Sequence, residues 1–247
     1  MTISIILGLI VVFAASCIQG MTSFGFSLLA VPLLGFFMPL SVIVPMLVIF
    51  SLLMNFMILF KLKSTPDLKA IGTILITGMI ATPLGANLLK NANPDILKFT
   101  VGIVIFLSAI FMYKGYKLEM KNKTVSFLTT GFMSGLLNGS ISMSGPPVIL
   151  FMTNEGVEKT QFRVNLTSYF FAINIVTVLV FYFNGQLGPE VLSTSALLFP
   201  ALVVGVIAGV TLGNKAKEEK FRTFTIFLIM AMGLLSVLSS NPQSWLF

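Results

Sequence analysis

Two short polar segments interrupt long apolar stretches of this sequence. The first is Gln19-Gly-Met-Thr-Ser-Phe-Gly25, and the second, Asn138-Gly-Ser-Ile-Ser-Met-Ser-Gly-Pro-Pro147, begins 119 residues later (19 to 138). Their hydroxyl and amide groups are neutral hydrogen-bond donors, and a helix that starts after each segment presents unpaired N–H groups and roughly half a positive charge. Donors of this kind suit an oxyanion. We call these segments the first break and the second break.

The candidate solute-binding residues belong to the two breaks and to two asparagines within apolar stretches. They are Gln19, Gly20, Thr22, Ser23, Gly25, Asn55, Asn138, Gly139, Ser140, Ser142, Ser144, Gly145 and Asn174. The alternative role is structural, because Gly, Ser and Thr are ordinary packing residues between membrane helices and Asn can hydrogen-bond a neighbouring helix. Arg163 could recruit an anion from the cytoplasm, or it could only set the orientation of the chain and reach the lipid headgroups.

The composition predicts an integral membrane protein. Hydrophobic residues make up 56% of the chain and charged residues 9%, and the mean hydropathy is +1.01, whereas a soluble domain has roughly 25% charged residues. Apolar runs recur from end to end, which predicts one transmembrane domain over residues 1–247 and no cleaved signal peptide. The net charge of +7 comes from residues in short connections, so no nucleic-acid partner is expected.

The residue inventory argues against several kinds of chemistry. With one Cys and no His, the sequence predicts no disulfide, no metal site and no cofactor. There is no Walker sequence for ATP, no acidic residue in the middle of an apolar stretch, and no evident general base, so we do not expect an enzyme. The expected partners are a small anionic solute and the lipid bilayer, with homo-oligomers left open.

Six long spans are predicted from hydropathy and from charged or Pro/Gly boundaries. They cover about residues 41–60, 70–89, 94–113, 160–184, 189–214 and 221–239. The remaining stretches, about 3–38 and 124–153, are too long for single spans and contain the breaks. We expect each to form a re-entrant hairpin, with arms of about 16 and 13 residues in the first stretch and shorter arms in the second. Two complete short crossings are the alternative.

The positions of the 15 basic residues favour hairpins. If each broken stretch crosses the membrane once, eight basic residues lie on one side and seven on the other. If each returns to the face it entered, only Lys90 and Lys98 lie apart from the other 13. Because short cytoplasmic connections hold an excess of Lys and Arg, this second arrangement predicts that both termini lie outside.

The two halves of the chain resemble each other weakly. At an offset of 119 residues, positions of similar type are Gln19 and Asn138, Ser23 and Ser142, and Asn55 and Asn174. Repeat 1, about residues 1–116, and repeat 2, about residues 124–247, would each contain one broken segment and three spans. An odd number of crossings inverts the second repeat relative to the first. The predicted fold is therefore all-α, with two inverted repeats.

This plan is typical of secondary transporters, in which rigid movement of one half against the other exposes a midplane site alternately to the two sides. An anion channel that uses the same tips as a selectivity filter is the alternative.

Motifs along nearly the whole chain resemble the sulfite exporter family TauE/SafE, also called the toluenesulfonate uptake permease group. They are Gln19-Gly20 followed by Ser-Phe-Gly-Phe, Ala30-Val-Pro-Leu33, Pro83-Leu-Gly85, Gly135-Leu-Leu-Asn-Gly139, Gly145-Pro-Pro147, Phe162-Arg163 and Asn174. The resemblance implies a permease of the bacterial inner (plasma) membrane that moves sulfite or other small sulfur-containing or organic anions, often outward. Asn138, Ser140, Ser142 and Ser144 stand where family members commonly have more glycines, which leaves the substrate open.

Overall fold

A computed structural model describes residues 2–62, 65–114, 123–155 and 157–213, and all regular elements within these ranges are α-helices. The helices before residue 115 are α1 (Thr2–Thr22), α2 (Phe26–Leu34), α3 (Leu40–Leu59), α4 (Leu68–Asn91) and α5 (Pro94–Lys114). Those after residue 122 are α6 (Lys123–Ile141), α7 (Gly145–Asn154), α8 (Lys159–Phe183) and α9 (Pro189–Gly213).

Five of these helices are long and apolar enough to cross a membrane. They are α1, α3, α4, α8 and α9. Four of the five, α3, α4, α8 and α9, coincide with predicted spans, and the bounds of α5 also agree with a predicted span. The sixth predicted span, 221–239, lies outside the described residues. The prediction of an all-helical membrane protein is thus confirmed.

Both predicted interruptions are present, because one helix ends at Thr22 before the next starts at Phe26, and another ends at Ile141 before the next starts at Gly145. The predicted arm lengths, however, are wrong. The arms contain 21 and 9 residues around the first break and 19 and 10 around the second. The incoming helix is longer than expected because it continues through Gly20 and Gly139, whose missing side chains admit a neighbouring helix.

The second broken stretch doubles back on itself. Near its start and end, the Lys123 ammonium lies 2.7 Å from a carboxylate oxygen of Glu155, and the rings of Phe127 and Phe151 have centroids 4.7 Å apart. Closer to the break, the Ser134 hydroxyl on α6 donates a hydrogen bond to the Ser144 carbonyl, at 2.6 Å. α7 therefore returns beside α6 toward the end at which α6 began.

Glycines allow two pairs of helices to pack at backbone distance. Along α4 and α6, side chains added at Gly131, Gly135 and Gly139 would overlap the carbonyl oxygens of Ile74, Gly78 and Thr82, respectively. The contacts advance in step, so these helices run parallel. α1 and α9 pair in the same way, since a side chain at Gly209 would overlap the backbone of Cys17.

We predict that Gly135→Ala destabilises the protein, because the three atoms nearest to the new methyl group all belong to the Gly78 backbone and forcing extra volume into a packed contact costs about 1–3 kcal/mol. The matched control is Gly72→Ala on α4, where an added methyl group meets nothing within 4 Å. Thermal unfolding of detergent-purified protein measures both. Equal melting temperatures for the two variants would contradict the proposed backbone contact.

Candidate solute-binding site

The first break is held by side chains that satisfy its backbone. The Thr22 hydroxyl donates to the Ile18 carbonyl at 2.9 Å and lies 2.6 Å from the Phe24 carbonyl oxygen. Ser23 and Gly25 have φ angles of 67° and 100°, the left-handed region that ends a helix and that glycine adopts at least cost. α2 then begins at Phe26, whose N–H donates to the Gln19 side-chain oxygen at 3.3 Å.

The second break has the same local geometry 119 residues later. Ser142 has a φ of 58°, and its N–H donates to the Asn138 carbonyl at 3.0 Å, just as the Ser23 N–H donates to the Gln19 carbonyl at 2.7 Å. In both breaks, therefore, a serine in the left-handed conformation closes the last turn of the incoming helix.

Each break also joins a long helix through a pair of buried amides. The Gln19 side chain donates to the Asn55 oxygen on α3 at 3.3 Å, and the Asn138 side chain donates to the Asn174 oxygen on α8 at 3.0 Å. All four residues are at most 4% exposed. The two asparagines thus interact with the break in their own half of the chain.

These groups meet at a small cavity with a volume of about 40 Å³. Eight of the 13 predicted solute-binding residues line it: Gln19, Gly25, Asn55, Asn138, Ser142, Ser144, Gly145 and Asn174. The starts of α2 and α7 form part of its wall, and none of the described residues that line it is charged. The two tips therefore do approach a common space whose polar groups are neutral amides and hydroxyls.

One polar atom at this cavity has no protein partner. The side-chain nitrogen of Asn55 is buried without a hydrogen bond to any described residue, although the Asn55 oxygen accepts from Gln19. Burying an amide donor without an acceptor is unfavourable by about 1–3 kcal/mol. The cavity consequently offers a donor to any acceptor that enters.

The start of α7 supplies fewer N–H donors than an ordinary helix. Pro146 and Pro147 occupy its first turn and have no N–H, which leaves the serines around the second break as the nearby donors. Ser27, at the start of α2, and Ser142, within the second break, have hydroxyl oxygens 3.2 Å apart. The hydrogen-bonding capacity of the cavity therefore resides largely in side chains.

The other predicted site residues lie away from the cavity wall. Gly20 packs against α9 and Gly139 against α4. The hydroxyls of Thr22 and Ser140 bond backbone carbonyls of their own helices. Ser23 accepts a hydrogen bond from the Arg163 side chain at 3.1 Å. A direct contact of these residues with a solute stays a prediction.

Several residues at the site were not identified from the sequence. Ser27 and Ser51 line the cavity, and Thr177 accepts a second hydrogen bond from Asn138 at 2.8 Å. On the far side of the second break, the buried Tyr169 hydroxyl donates to Ser134 at 2.7 Å, and Ser134 donates to the Ser144 carbonyl. Single hydroxyls in apolar helices give no sequence signal beyond an ordinary packing role.

Within the described residues, no group of His, Cys, Asp and Glu is arranged to hold a metal ion.

Long apolar helices around an internal polar cavity define a membrane transport protein of the helical type. Comparison with known families identifies the kind of transport protein, since the model of the sulfite exporter TauE/SafE family matches residues 8–236. The chain belongs to this family, which confirms the resemblance found in the motifs. Membership in a family of exporters also agrees with the expectation that the chain is not an enzyme.

A curated relative is the probable sulfite/organosulfonate exporter TauE of Cupriavidus necator. It is 24% identical over 136 residues, which cover 55% of this chain and 53% of the relative. The match thus spans about half the length of that protein. No solved structure matches the chain.

We predict that Ser134→Ala destabilises the protein more than Tyr169→Phe does. Tyr169→Phe removes one hydroxyl and leaves Ser134 bonded to Ser144, a loss of about 1 kcal/mol. Ser134→Ala leaves both the Tyr169 hydroxyl and the Ser144 carbonyl without this partner, which costs about 1–3 kcal/mol. Thermal unfolding of both variants and of the double variant measures the coupling. Strictly additive losses would contradict a linked chain of hydrogen bonds.

Proposed function

We propose that this chain is a secondary transporter that exports sulfite or a similarly small organic or sulfur-containing anion. The cavity between the two breaks is its binding site, exposed alternately to the two sides of the membrane. The observation that carries the proposal is the buried Asn55 nitrogen, a donor without a partner among the described residues, at a cavity next to the starts of two helices. Family membership supports the same class of solute.

The chemistry of the lining supports an anion over a cation. Amide and hydroxyl groups can donate hydrogen bonds to an oxyanion, and the positive ends of α2 and α7 add favourable electrostatics. The lining residues include no carboxylate that would repel an anion or bind a cation. A site without a fixed positive charge binds an anion moderately, so the solute can also leave.

The cavity volume supports a small solute. An ordered water needs about 10–15 Å³ of cavity volume measured in this way, so the cavity of about 40 Å³ has room for roughly three waters. Sulfite, with four non-hydrogen atoms, is a small solute of comparable size. A larger organosulfonate requires the cavity to widen, and we therefore propose sulfite as the better fit to this conformation.

Inverted repeats are part of the proposal. Their support is the recurrence of the amide pair and of the left-handed serine at an offset of 119 residues, together with the exchange of packing partners between halves. α1 packs against α9, and α6, the counterpart of α1, packs against α4, the counterpart of α9. We place the protein in a bacterial-type inner membrane with both termini outside, as the basic residues indicate.

The proposed moving units differ from the two halves of the sequence. Because the α1–α9 and α4–α6 contacts each join one half to the other at backbone distance, we propose that these pairs, with the short helices α2 and α7, move as units against α3 and α8. The site then lies between the units.

We predict that Asn55→Asp abolishes transport while the protein still inserts in the membrane. The substitution keeps an oxygen that can accept from Gln19, but it replaces the unpartnered donor with an acceptor and allows a negative charge. Flux of radiolabelled sulfite in proteoliposomes should fall at least about tenfold, the equivalent of one lost hydrogen bond of about 1.4 kcal/mol. Thermal stabilisation of the purified protein by sulfite should also disappear.

The matched control is Asn91→Asp, at the exposed end of α4 and outside the cavity, which should retain both responses. Near-normal flux and sulfite stabilisation in Asn55→Asp would reject the cavity as the site. Wild-type protein that responds to none of sulfite, sulfate, thiosulfate, sulfonates or small carboxylates would reject anion transport itself.

A transporter and a channel differ in how the flux depends on solute concentration and in whether single-channel currents occur. Alternating access predicts that the rate of sulfite movement saturates with concentration and that planar bilayers containing the protein show no single-channel currents. Discrete currents carried by sulfite would instead favour the channel alternative.

A further inference from the structure

Arg163 lies in the second turn of α8, and its side chain reaches the first break. The guanidinium Nε donates a hydrogen bond to the hydroxyl oxygen of Ser23, at 3.1 Å. Ser23 is fully buried, whereas Arg163 is half-buried. The Arg163 side chain is therefore only partly enclosed by protein, although its Nε bonds a fully buried hydroxyl.

The charge of Arg163 has no counter-charge among the described residues. No ion pair joins the guanidinium to a carboxylate of the described residues. The remaining N–H groups of an arginine form a positively charged planar fork suited to an oxyanion. A neutral hydroxyl such as Ser23 uses one of these donors without neutralising the positive charge.

Arg163 also lies next to the approach to the cavity. Ser23 is followed directly by Phe24 and Gly25, both of which line the cavity, whereas Arg163 and Ser23 do not. An anion at the guanidinium would thus be separated from the cavity by the backbone of the first break. This position is distinct from that of the Asn55 donor.

The position in the first half that corresponds to Arg163 carries no charge. The position 119 residues before Arg163 is Val44, an apolar residue that is fully buried on α3. If the halves are inverted repeats, the two breaks are approached from opposite sides, and only one approach is flanked by an arginine. The presence of an arginine at one approach only would make the entry side of the solute differ from its exit side.

We propose that Arg163, held in place by the Ser23 hydroxyl, forms a second anion-binding site at the cytoplasmic approach to the cavity. This inference rests on the proposed function and its orientation. The site takes up a small oxyanion from the cytoplasm through charge-assisted hydrogen bonds, and the anion then passes the first break. The second site increases the affinity for an anion that arrives from the cytoplasm and contributes little to the binding of an anion from outside.

The test compares sulfite transport from the two faces. Everted membrane vesicles present the cytoplasmic face to radiolabelled sulfite, and right-side-out vesicles present the other. In everted vesicles, Arg163→Gln should raise the KM about tenfold, equivalent to about 1.4 kcal/mol, with little change in maximal rate. In right-side-out vesicles the KM should change less than about twofold. Arg163→Lys should restore part of the affinity in everted vesicles, since a lysine keeps the charge without the planar fork.

Two further variants separate binding from support of the break. Ser23→Ala removes the hydrogen bond but keeps the guanidinium, so it should raise the everted-vesicle KM much less than Arg163→Gln. Lys90→Gln removes an exposed charge on the opposite side and should leave the everted-vesicle KM unchanged. A purely structural role for Arg163 instead predicts that Ser23→Ala and Arg163→Gln lower the maximal rate equally from both faces.

The outcomes distinguish this inference from the proposed function. The proposed function stands if wild-type vesicles transport sulfite and Asn55→Asp blocks transport from both faces. If Arg163→Gln then leaves the KM unchanged in everted vesicles, only the second site is overturned. Equal KM increases from both faces would likewise overturn a one-sided site. Wild-type vesicles that move no sulfite overturn both.

Discussion

The structure depends on satisfying backbone hydrogen bonds where two helices stop inside an apolar environment. Unpaired N–H and C=O groups are expensive in a membrane, so irregular backbone persists there only where protein or a polar cavity supplies partners. At the first break, the Thr22 hydroxyl accepts a hydrogen bond from the Phe24 N–H, and the Gln19 side-chain oxygen accepts one from the Phe26 N–H. At the second break, the Ser134 hydroxyl serves the Ser144 carbonyl. The polar residues that hold the breaks also create the polarity of the space between them.

The polar side chains at the breaks bond different partners through different atoms. Gln19 uses its oxygen for the start of α2 and its nitrogen for Asn55, and Asn138 shares its nitrogen between Asn174 and Thr177. The Asn55 nitrogen has no partner in the part of the chain that the structure describes. A neutral pocket with one spare donor interacts with an anion at a small desolvation cost to the protein, because no fixed charge had to be buried to form it.

The sequence predicted the breaks well because Gly, Pro and clustered hydroxyls stand out against an apolar background. The start of α7 at Gly145 and the amides at Asn55 and Asn174 follow from such local signals. The lengths of the incoming arms did not follow, since Gly20 was read as part of the break, whereas it lies in a helix that packs against α9. Local composition cannot separate a glycine that ends a helix from one that admits a neighbour. The Tyr169–Ser134 contact was missed for a related reason, because it depends on the approach of α6 and α8 rather than on spacing along the chain.

The two kinds of contact around the cavity differ in how they respond to movement. When α1 separates from α9, or α4 from α6, dispersion energy is lost along the whole glycine contact. Because glycine has no side chain, nothing can bridge the space that opens between the two backbones. The amide bonds from Gln19 to Asn55 and from Asn138 to Asn174 join these pairs to α3 and α8. An amide that leaves its partner can bond a solute or water instead, with a small net change in free energy. In the proposed transport cycle, opening the cavity along the amide contacts would therefore cost less than separating the glycine-packed pairs, and a bound oxyanion would replace the hydrogen bonds that opening breaks.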